Sequence, residues 1–519
     1  MNKRPNIIFI QNDHQAFYQW QEWKEKVKRP NFERLAAEGA EFTSAYCTTP
    51  LCGPTRRSLL TGQYPHAHKQ YFNYSDPPFE QEVYLDTLSE AGYENYYYGK
   101  WHAGPGNALD HQCEGFCHTS YGNPYVRPEY QEYLERKGLP PAEFEVRHCF
   151  RVREFGYGDP YSEYYYDLKA GNHHYRSKDP DYCGEHAAGI TVTPKETTES
   201  FFLADLACNR LEQLAAREDK SRPFALRVDF WGPHQPYFPT QEYLDMYKDM
   251  QLTEYPSWNS GLEGKPAAYF RERNPPMGTD DYHIIIPNPM PWSYYNELLQ
   301  YCAAQITMLD EAAGLILDKV RELGLDENTL IIFTTDHGDG LACQGGHFDK
   351  GSYMAQEVLR IPMAASWKGH IAPGQKREEL VSSLSIPVTI LDAAGLTFTK
   401  NKVHARSLLP LVTGNAKEPV DWPDTVVAET YGHGYGEEIT SRVIVWKQYK
   451  YVASVGENNR DELYNLEQDK YELVNHIDDS EYADILTEMR RRLREWQAET
   501  DDPVVFEWAE QAENRMRRS

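Results

Sequence analysis

The stretch Thr329-Leu330-Ile331-Ile332-Phe333-Thr334-Thr335-Asp336-His337-Gly338 decides the fold. An apolar, β-branched run stops abruptly at a carboxylate, an imidazole and a glycine. Such a run suits a short strand buried on both faces, as in parallel α/β sheets. Asn6-Ile7-Ile8-Phe9-Ile10, followed by Gln11-Asn12-Asp13-His14, repeats the pattern near the other end of the chain. Helical spacing lies between the two. Leu203, Ala207, Leu211 and Leu214 share one helical face, as do Ile306, Leu309, Ala313, Ile316, Val320 and Leu323. Gly324 suits the position after a helix end. A helix over 306–323 leading into the strand at 329–334 is half of a βαβ unit.

The chain therefore reads as α/β over residues 1–400, with a large, mostly parallel central sheet flanked by helices. After about residue 400 the composition shifts. Alternating apolar residues over 439–455 predict antiparallel hairpin strands, and 481–498 predicts an amphipathic helix. A smaller α+β subdomain, with an antiparallel sheet, is expected over 401–519. Residues 105–185 and 235–292 read as irregular and rich in Tyr, Gly and Pro. They are longer than ordinary loops and are expected to be insertions that form the rim of a pocket.

Composition narrows the function. The 519 residues carry 79 acidic and 53 basic side chains, a formal net charge of −26. Nucleic-acid binders draw much of their affinity from basic surfaces, so nucleic acid is excluded as the main partner. At 40% hydrophobic and 13% aromatic, the chain can bury a large core. No apolar run is long enough to span a bilayer, so no membrane partner is expected. The first residues leave no room for a secretory h-region, which predicts a cytoplasmic protein. The cysteines, nine in all, are then expected to be mostly reduced and buried.

Ligands of open α/β sheets sit beyond the carboxyl ends of strands. Asp13-His14 and Asp336-His337 both lie there, and together they offer mixed O and N donors for a metal ion. The segment Leu51-Cys52-Gly53-Pro54-Thr55-Arg56-Arg57-Ser58-Leu59-Leu60-Thr61-Gly62 places Cys52 just before a predicted helix, where the dipole favours negative charge. Arg56 can reach back toward the same end. His111, Cys113, Cys117 and His118 have no standard zinc spacing, and the bland reading is preferred. Residues 432–436 (Gly-His-Gly-Tyr-Gly) lack a following helix and are not a dinucleotide fingerprint. Tyrosines 71, 74, 96–98, 157, 161 and 164–166 could stack on sugar or aryl rings, or simply hold long loops together.

These motifs together resemble the sulfatase family of the alkaline phosphatase superfamily. The resemblance rests on C-G-P-T-R followed by L-T-G at 52–62, with Thr55 where Ser is usual. It extends to Gly92-Tyr93 and Gly99-Lys100-Trp101-His102-Ala103-Gly104, and to Pro233-His234-Gln235-Pro236. Asp336-His337-Gly338 with Asp349-Lys350-Gly351 follows, and then Asp461-Glu462-Leu463-Tyr464-Asn465-Leu466.

The resemblance implies an alkaline-phosphatase-like sandwich and hydrolysis of a sulfate ester. Cys52 would be oxidised to formylglycine (3-oxoalanine) by a maturation enzyme. Its hydrate would then act as nucleophile and form a covalent sulfo-enzyme. Asp13, Asp336 and His337 match the family's metal positions. His14 stands where the family usually has Asp or Gln, and is expected as a fourth ligand. Calcium is the expected ion, with manganese favoured if His14 coordinates. Arg56, Lys100 and Lys350 match the family's cations. Lys350 and His234 are expected at the leaving oxygen, and His102 as a base.

A sulfatase is the first reading. A phosphonate monoester or phosphodiester hydrolase of the same superfamily is the second. A non-catalytic anion-binding protein is the third, and unpaired buried cations count against it. The acidic balance predicts a local positive site inside a negative shell, which suits a small sulfate ester or short sulfated sugar better than a long polyanion. Oligomeric state is left open.

Overall fold

In the computed structural model, residues 4–16, 21–118, 124–149, 187–273, 291–414, 420–432, 439–456 and 460–509 are described, with short strands at 174–175, 279–280 and 283–284. Tyrosines 157, 161 and 164–166, Cys183 and residues 433–436 lie outside the described residues. The main elements, in chain order, are β1 (Asn6–Asp13), α1 (Pro30–Glu38), β2 (Ala40–Phe42), α2 (Cys52–Thr61), β3 (Glu94–Lys100), β4 (Cys113–His118), α3 (Glu199–Ala216), β5 (Phe224–Pro233), α4 (Trp292–Glu322), β6 (Thr329–Thr335), β7 (Met363–Ser366) and β8 (Gln375–Arg377). The C-terminal part adds β9 (Thr425–Thr430), β10 (Thr440–Trp446), β11 (Tyr449–Val455), β12 (Glu462–Asn465) and α5 (Ala483–Thr500).

The two apolar runs are neighbours. β1 and β6 pair in parallel, with Asn6 opposite Thr329 and Asn12 opposite Thr335. They sit at the middle of an eight-stranded sheet of order β8-β2-β7-β6-β1-β5-β3-β4. β6, β1, β5, β3 and β4 run parallel, while β7 is antiparallel to both its neighbours. β1 and β6 are buried along almost their full length, as near-continuous apolar strands require. One core cluster joins Ile8, Ile10 and Phe333 to α3 and α4. The other joins Ile7, Phe9 and Ile332 to α2 and the C-terminal sheet.

Helix α4 is longer than its periodic stretch, beginning at Trp292. It ends as expected, with Gly324 at φ 64° and Leu325 N–H reaching back to Val320 O at 2.9 Å. Residues 113–118 differ from their irregular reading, because they form the edge strand β4. Gly115 hides it. At φ 133° it packs so closely on β3 that a Cβ would stand 2.2 Å from Tyr97 O. Only glycine fits, and the apolar alternation is broken there.

The C-terminal sheet has order β9-β10-β11-β12 and is antiparallel throughout. Helix α5 packs Met489 and Leu493 into a cluster with Ile444, Tyr451 and Leu463. Among the described residues, no helix is long and apolar enough to cross a membrane.

Candidate active site

Parallel pairing of β1 with β6 brings Asp13 and Asp336 to the same sheet end. Helix α2 then delivers Cys52, which is its first residue rather than the residue before it. Gly53 permits the approach, since a Cβ there would meet Gln70 Nε2 at 2.7 Å and His102 O at 3.3 Å. Asn73 Oδ1 accepts the Gly53 N–H at 2.9 Å and fixes the turn. Cys52 is fully buried, its Sγ 3.1 Å from His337 Nε2 and 3.7 Å from Asp13 Oδ1. Burial and the Asp13 charge push its thiol up to about 12.

Arg56 lies one helical turn on and is completely enclosed. It donates to Asp336 Oδ2 (3.0 Å), Asp229 Oδ2 (2.8 Å), Asp13 Oδ2 (2.7 Å) and the Lys100 carbonyl (3.0 Å). Those bonds occupy four of the five N–H donors a guanidinium offers. Three carboxylates on one buried cation hold Arg56 firmly charged despite its burial. Lys100 Nζ sits 2.6 Å from Asp13 Oδ2 and 4.2 Å over the Trp231 ring. Burial alone would raise the Asp13 carboxyl, but Lys100 and Arg56 hold it well below the usual carboxylate range.

The imidazoles are neutral and oriented. His337 Nδ1–H donates to Gly338 O at 2.8 Å, which leaves the Nε2 lone pair facing Cys52. His234 Nδ1–H donates to Gln235 O at 2.7 Å, so Nε2 can accept from Lys350 Nζ at 3.1 Å. His102 Nε2–H donates to Asn73 O at 3.2 Å. Burial lowers all three well below or below the ordinary imidazole value, with Lys350 adding for His234 and Lys100 for His102.

One oxygen of each of Asp13 and Asp336, a His337 nitrogen and the Cys52 sulfur all lie within 4.8 Å of one another. Two carboxylates and an imidazole whose far nitrogen is tied to a carbonyl form a donor set that fits a divalent cation. His14 is not in that group. Its backbone N–H donates to Asp336 Oδ1 at 2.9 Å, and its ring stands 4.8 Å from those of His234 and His337. Its Nε2 faces Asp339 and Asp349, 3.5 Å from each.

Several site residues escaped the sequence reading. Asp229 takes Arg56, Arg227 (2.7 and 2.8 Å) and the Tyr97 hydroxyl (2.8 Å). Its signal was legible, because Arg227 and Asp229 share one face of a strand that is otherwise apolar. Asp339 belonged to the run Asp336-His337-Gly338-Asp339 and could have been taken with it. Its Oδ1 accepts the Asp349 N–H at 2.9 Å, and burial together with Asp349 lifts its carboxyl to about 7. Asn73 and Glu199 had no signal. Glu199 is buried at the start of α3 and accepts the Trp231 N–H at 3.1 Å, and burial raises its carboxyl to about 8.

The His111/Cys113/Cys117/His118 set is not assembled among the described residues. Cys113 and Cys117 fall on one face of β4, while His111 pairs with Asp86 at 2.8 Å. A second cluster of His66, Glu429 and Asp502 also lacks ligand character. Both His66 nitrogens face acceptors, Glu429 Oε2 at 2.8 Å and Thr500 O at 3.0 Å, so neither keeps a lone pair for a metal.

A family model described as Sulfatase matches residues 5–396. The chain belongs to the sulfatase family. It is a sulfuric ester hydrolase built on that family's fold. A second model, the C-terminal part of N-sulphoglucosamine sulphohydrolase, matches residues 344–499. This sulfatase is 24% identical to an N-acetylglucosamine-6-O-sulfatase of Bacteroides thetaiotaomicron, over 96% of this chain and 87% of that protein. It is 26% identical to an arylsulfatase of Clostridium perfringens, over 94% of each. A protein solved in complex with its substrate D-glucosamine-2-N,6-O-disulfate superposes with a TM-score of 0.69 at 20% identity, covering 96% of this chain and 99% of that one. A phosphonate monoester hydrolase of Silicibacter pomeroyi gives 0.72 at 20% identity, covering 96% of each chain. Those two likenesses concern the fold alone.

Proposed function

We propose that this sulfatase hydrolyses a small sulfated metabolite or a short sulfated sugar, with Cys52 converted to formylglycine and one divalent cation held by Asp13, Asp336 and His337. The position of the Cys52 side chain inside the ligand cluster carries the reading. Formylglycine supplies a hydroxyl nucleophile at residue 52 once hydrated, and the cation supplies Lewis acidity there. The carboxylates of the donor set favour a hard ion such as calcium, and the His337 nitrogen brings manganese into range.

The chain's own groups divide the remaining work. Arg56 fixes the carboxylates of Asp13 and Asp336, and its bonds leave it little capacity to bind substrate directly. Lys100 supplies a fixed positive charge for the sulfate oxygens, steered by the Trp231 face. Lys350 and His234 form a hydrogen-bonded couple that serves the leaving oxygen. His102, kept neutral by burial beside Lys100, is placed to take a proton. The names of the relatives support a sugar or other small substrate, and a net charge of −26 disfavours long polyanions at low salt.

Paired assays on aryl sulfates and aryl phosphonates with one leaving group test this reading. The kcat/KM on the sulfate should be the larger, and a larger value on the phosphonate would transfer the chain to the phosphonate hydrolase reading. Lys350→Ala should lower kcat on poor leaving groups by about 10-fold or more beyond its effect on good ones. Equal losses would remove Lys350 from the leaving-group role.

A further inference from the structure

The tail motif at 461–466 builds β12, and the turn after it presses buried charges against the catalytic loop. Glu472, Lys450, Glu462 and Glu357 are all buried, as is Lys265. Lys450 Nζ donates to Glu472 and to the Met354 carbonyl. The other Glu472 oxygen accepts the Gln356 N–H at 2.9 Å. Gln344 Nε2 donates to Tyr471 O at 2.9 Å and to Glu357 Oε1 at 3.3 Å. Lys265 Nζ completes the group, 3.6 Å from Glu462 Oε2 and over the rings of Tyr269 and Tyr464.

From that cluster a short chain of hydrogen bonds runs to the reacting groups. Glu357 O accepts the Asp339 N–H at 3.1 Å, and Val358 O accepts the Gly338 N–H at 2.9 Å. Those residues directly follow Asp336 and His337. Gly340 N–H donates to Asp349 O at 3.1 Å, one residue before Lys350. The loop these bonds hold is conformationally demanding. Leu341 (φ 41°), Ala342 (71°), Gln344 (51°) and Asp349 (77°) are left-handed without being glycine, as is Glu472 (56°). Such backbones persist only when their surroundings over-determine them. A buried ion pair contributes little net stability compared with an apolar replacement, so stability alone does not account for this one.

We propose that the Lys450–Glu472 pair is a positioning device for the catalytic loop, which makes the C-terminal sheet a working part of the active centre. The kinetic arm of the test rests on the leaving-group role given to Lys350, and the structural arm does not. The double variant Lys450→Met/Glu472→Gln removes both charges together, so that neither is left buried alone. Hydrogen–deuterium exchange on the full chain should show faster exchange across 338–359, with the β1 and β6 peptides unchanged. In aryl sulfate kinetics, kcat on poor leaving groups should fall about 10-fold or more beyond that on good ones, reproducing the pattern of Lys350→Ala. Unchanged exchange across 338–359 in the folded variant would overturn the proposal. So would an equal kcat loss on all leaving groups while Lys350→Ala still discriminates. If Lys350→Ala does not discriminate, the leaving-group reading fails, and the exchange result alone decides the clamp. Should the double variant not fold, Lys450→Gln/Glu472→Gln serves in its place, since it removes the same two charges and still offers polar atoms to the Met354 carbonyl and the Gln356 N–H. The same loop exchange and kinetic split are expected for it, and wild-type values in both would overturn the proposal.

Discussion

Arg56→Met is expected to lose about 3–5 kcal/mol of folding stability and to lower kcat/KM by roughly 10³-fold or more. Asp13, Asp229 and Asp336 converge on this one guanidinium, and all four side chains are closed to solvent. Methionine fills similar volume but leaves the carboxylates of Asp13 and Asp336 without their shared partner, and charge repulsion would drive them apart. The same two carboxylates belong to the proposed cation site, so activity should fall with stability. Arg56→Lys separates the two effects. It restores the charge but not the fork, and three donors on one nitrogen cannot reproduce the four bonds that the guanidinium makes from three nitrogens. Stability should recover in part and activity much less. Urea denaturation and steady-state kinetics on the three proteins check both statements. Wild-type stability in Arg56→Met would show that the carboxylates are held by other contacts.

Cys52→Ala should abolish turnover, by about 10⁴-fold or more, while changing stability by only about 1 kcal/mol. The side chain is small, and among the described residues its Sγ lies within hydrogen-bond reach of Asp13 and His337. Little packing is lost, so a collapse of activity reports chemistry rather than folding. The variant should still bind the divalent cation, because the Asp13 and Asp336 carboxylates and the His337 nitrogen remain. Calorimetric titration of the metal into the folded variant provides that control. Retained turnover in Cys52→Ala would exclude residue 52 as the source of the nucleophile.

Much of this was legible in the sequence. The runs ending at Asp13 and Asp336 read as buried strands of a mostly parallel sheet with their carboxylates at carboxyl ends, and the structure shows that the two are neighbours. Fixed offsets did the rest, because Cys52 and Arg56 lie one helical turn apart on α2. What the sequence hid depends on three-dimensional approach. The role of Asp229 arises because β5 is the neighbour of β1, which periodicity does not state. Asn73 reaches Gly53 from a loop with no regular pattern. The His14 ring turns toward Asp339 and Asp349, which adjacency to Asp13 could not reveal. Strand β4 was masked by Gly115, whose missing Cβ is required by its contact with Tyr97 and at the same time erases the alternation. The Lys450–Glu472 pair lies within the C-terminal part, and its bonds to Met354 O and the Gln356 N–H join it to a loop distant in sequence, which only the folded chain brings there.

The proposed chemistry depends on conversion of Cys52 to formylglycine. Mass spectrometry of the peptide spanning Cys52, from protein produced with and without a formylglycine-generating enzyme, tests it most directly when paired with turnover of an aryl sulfate. The aldehyde form should appear only with the maturation enzyme, and specific activity should rise in proportion to the converted fraction. Full activity from protein in which every Cys52 remains a thiol would contradict it.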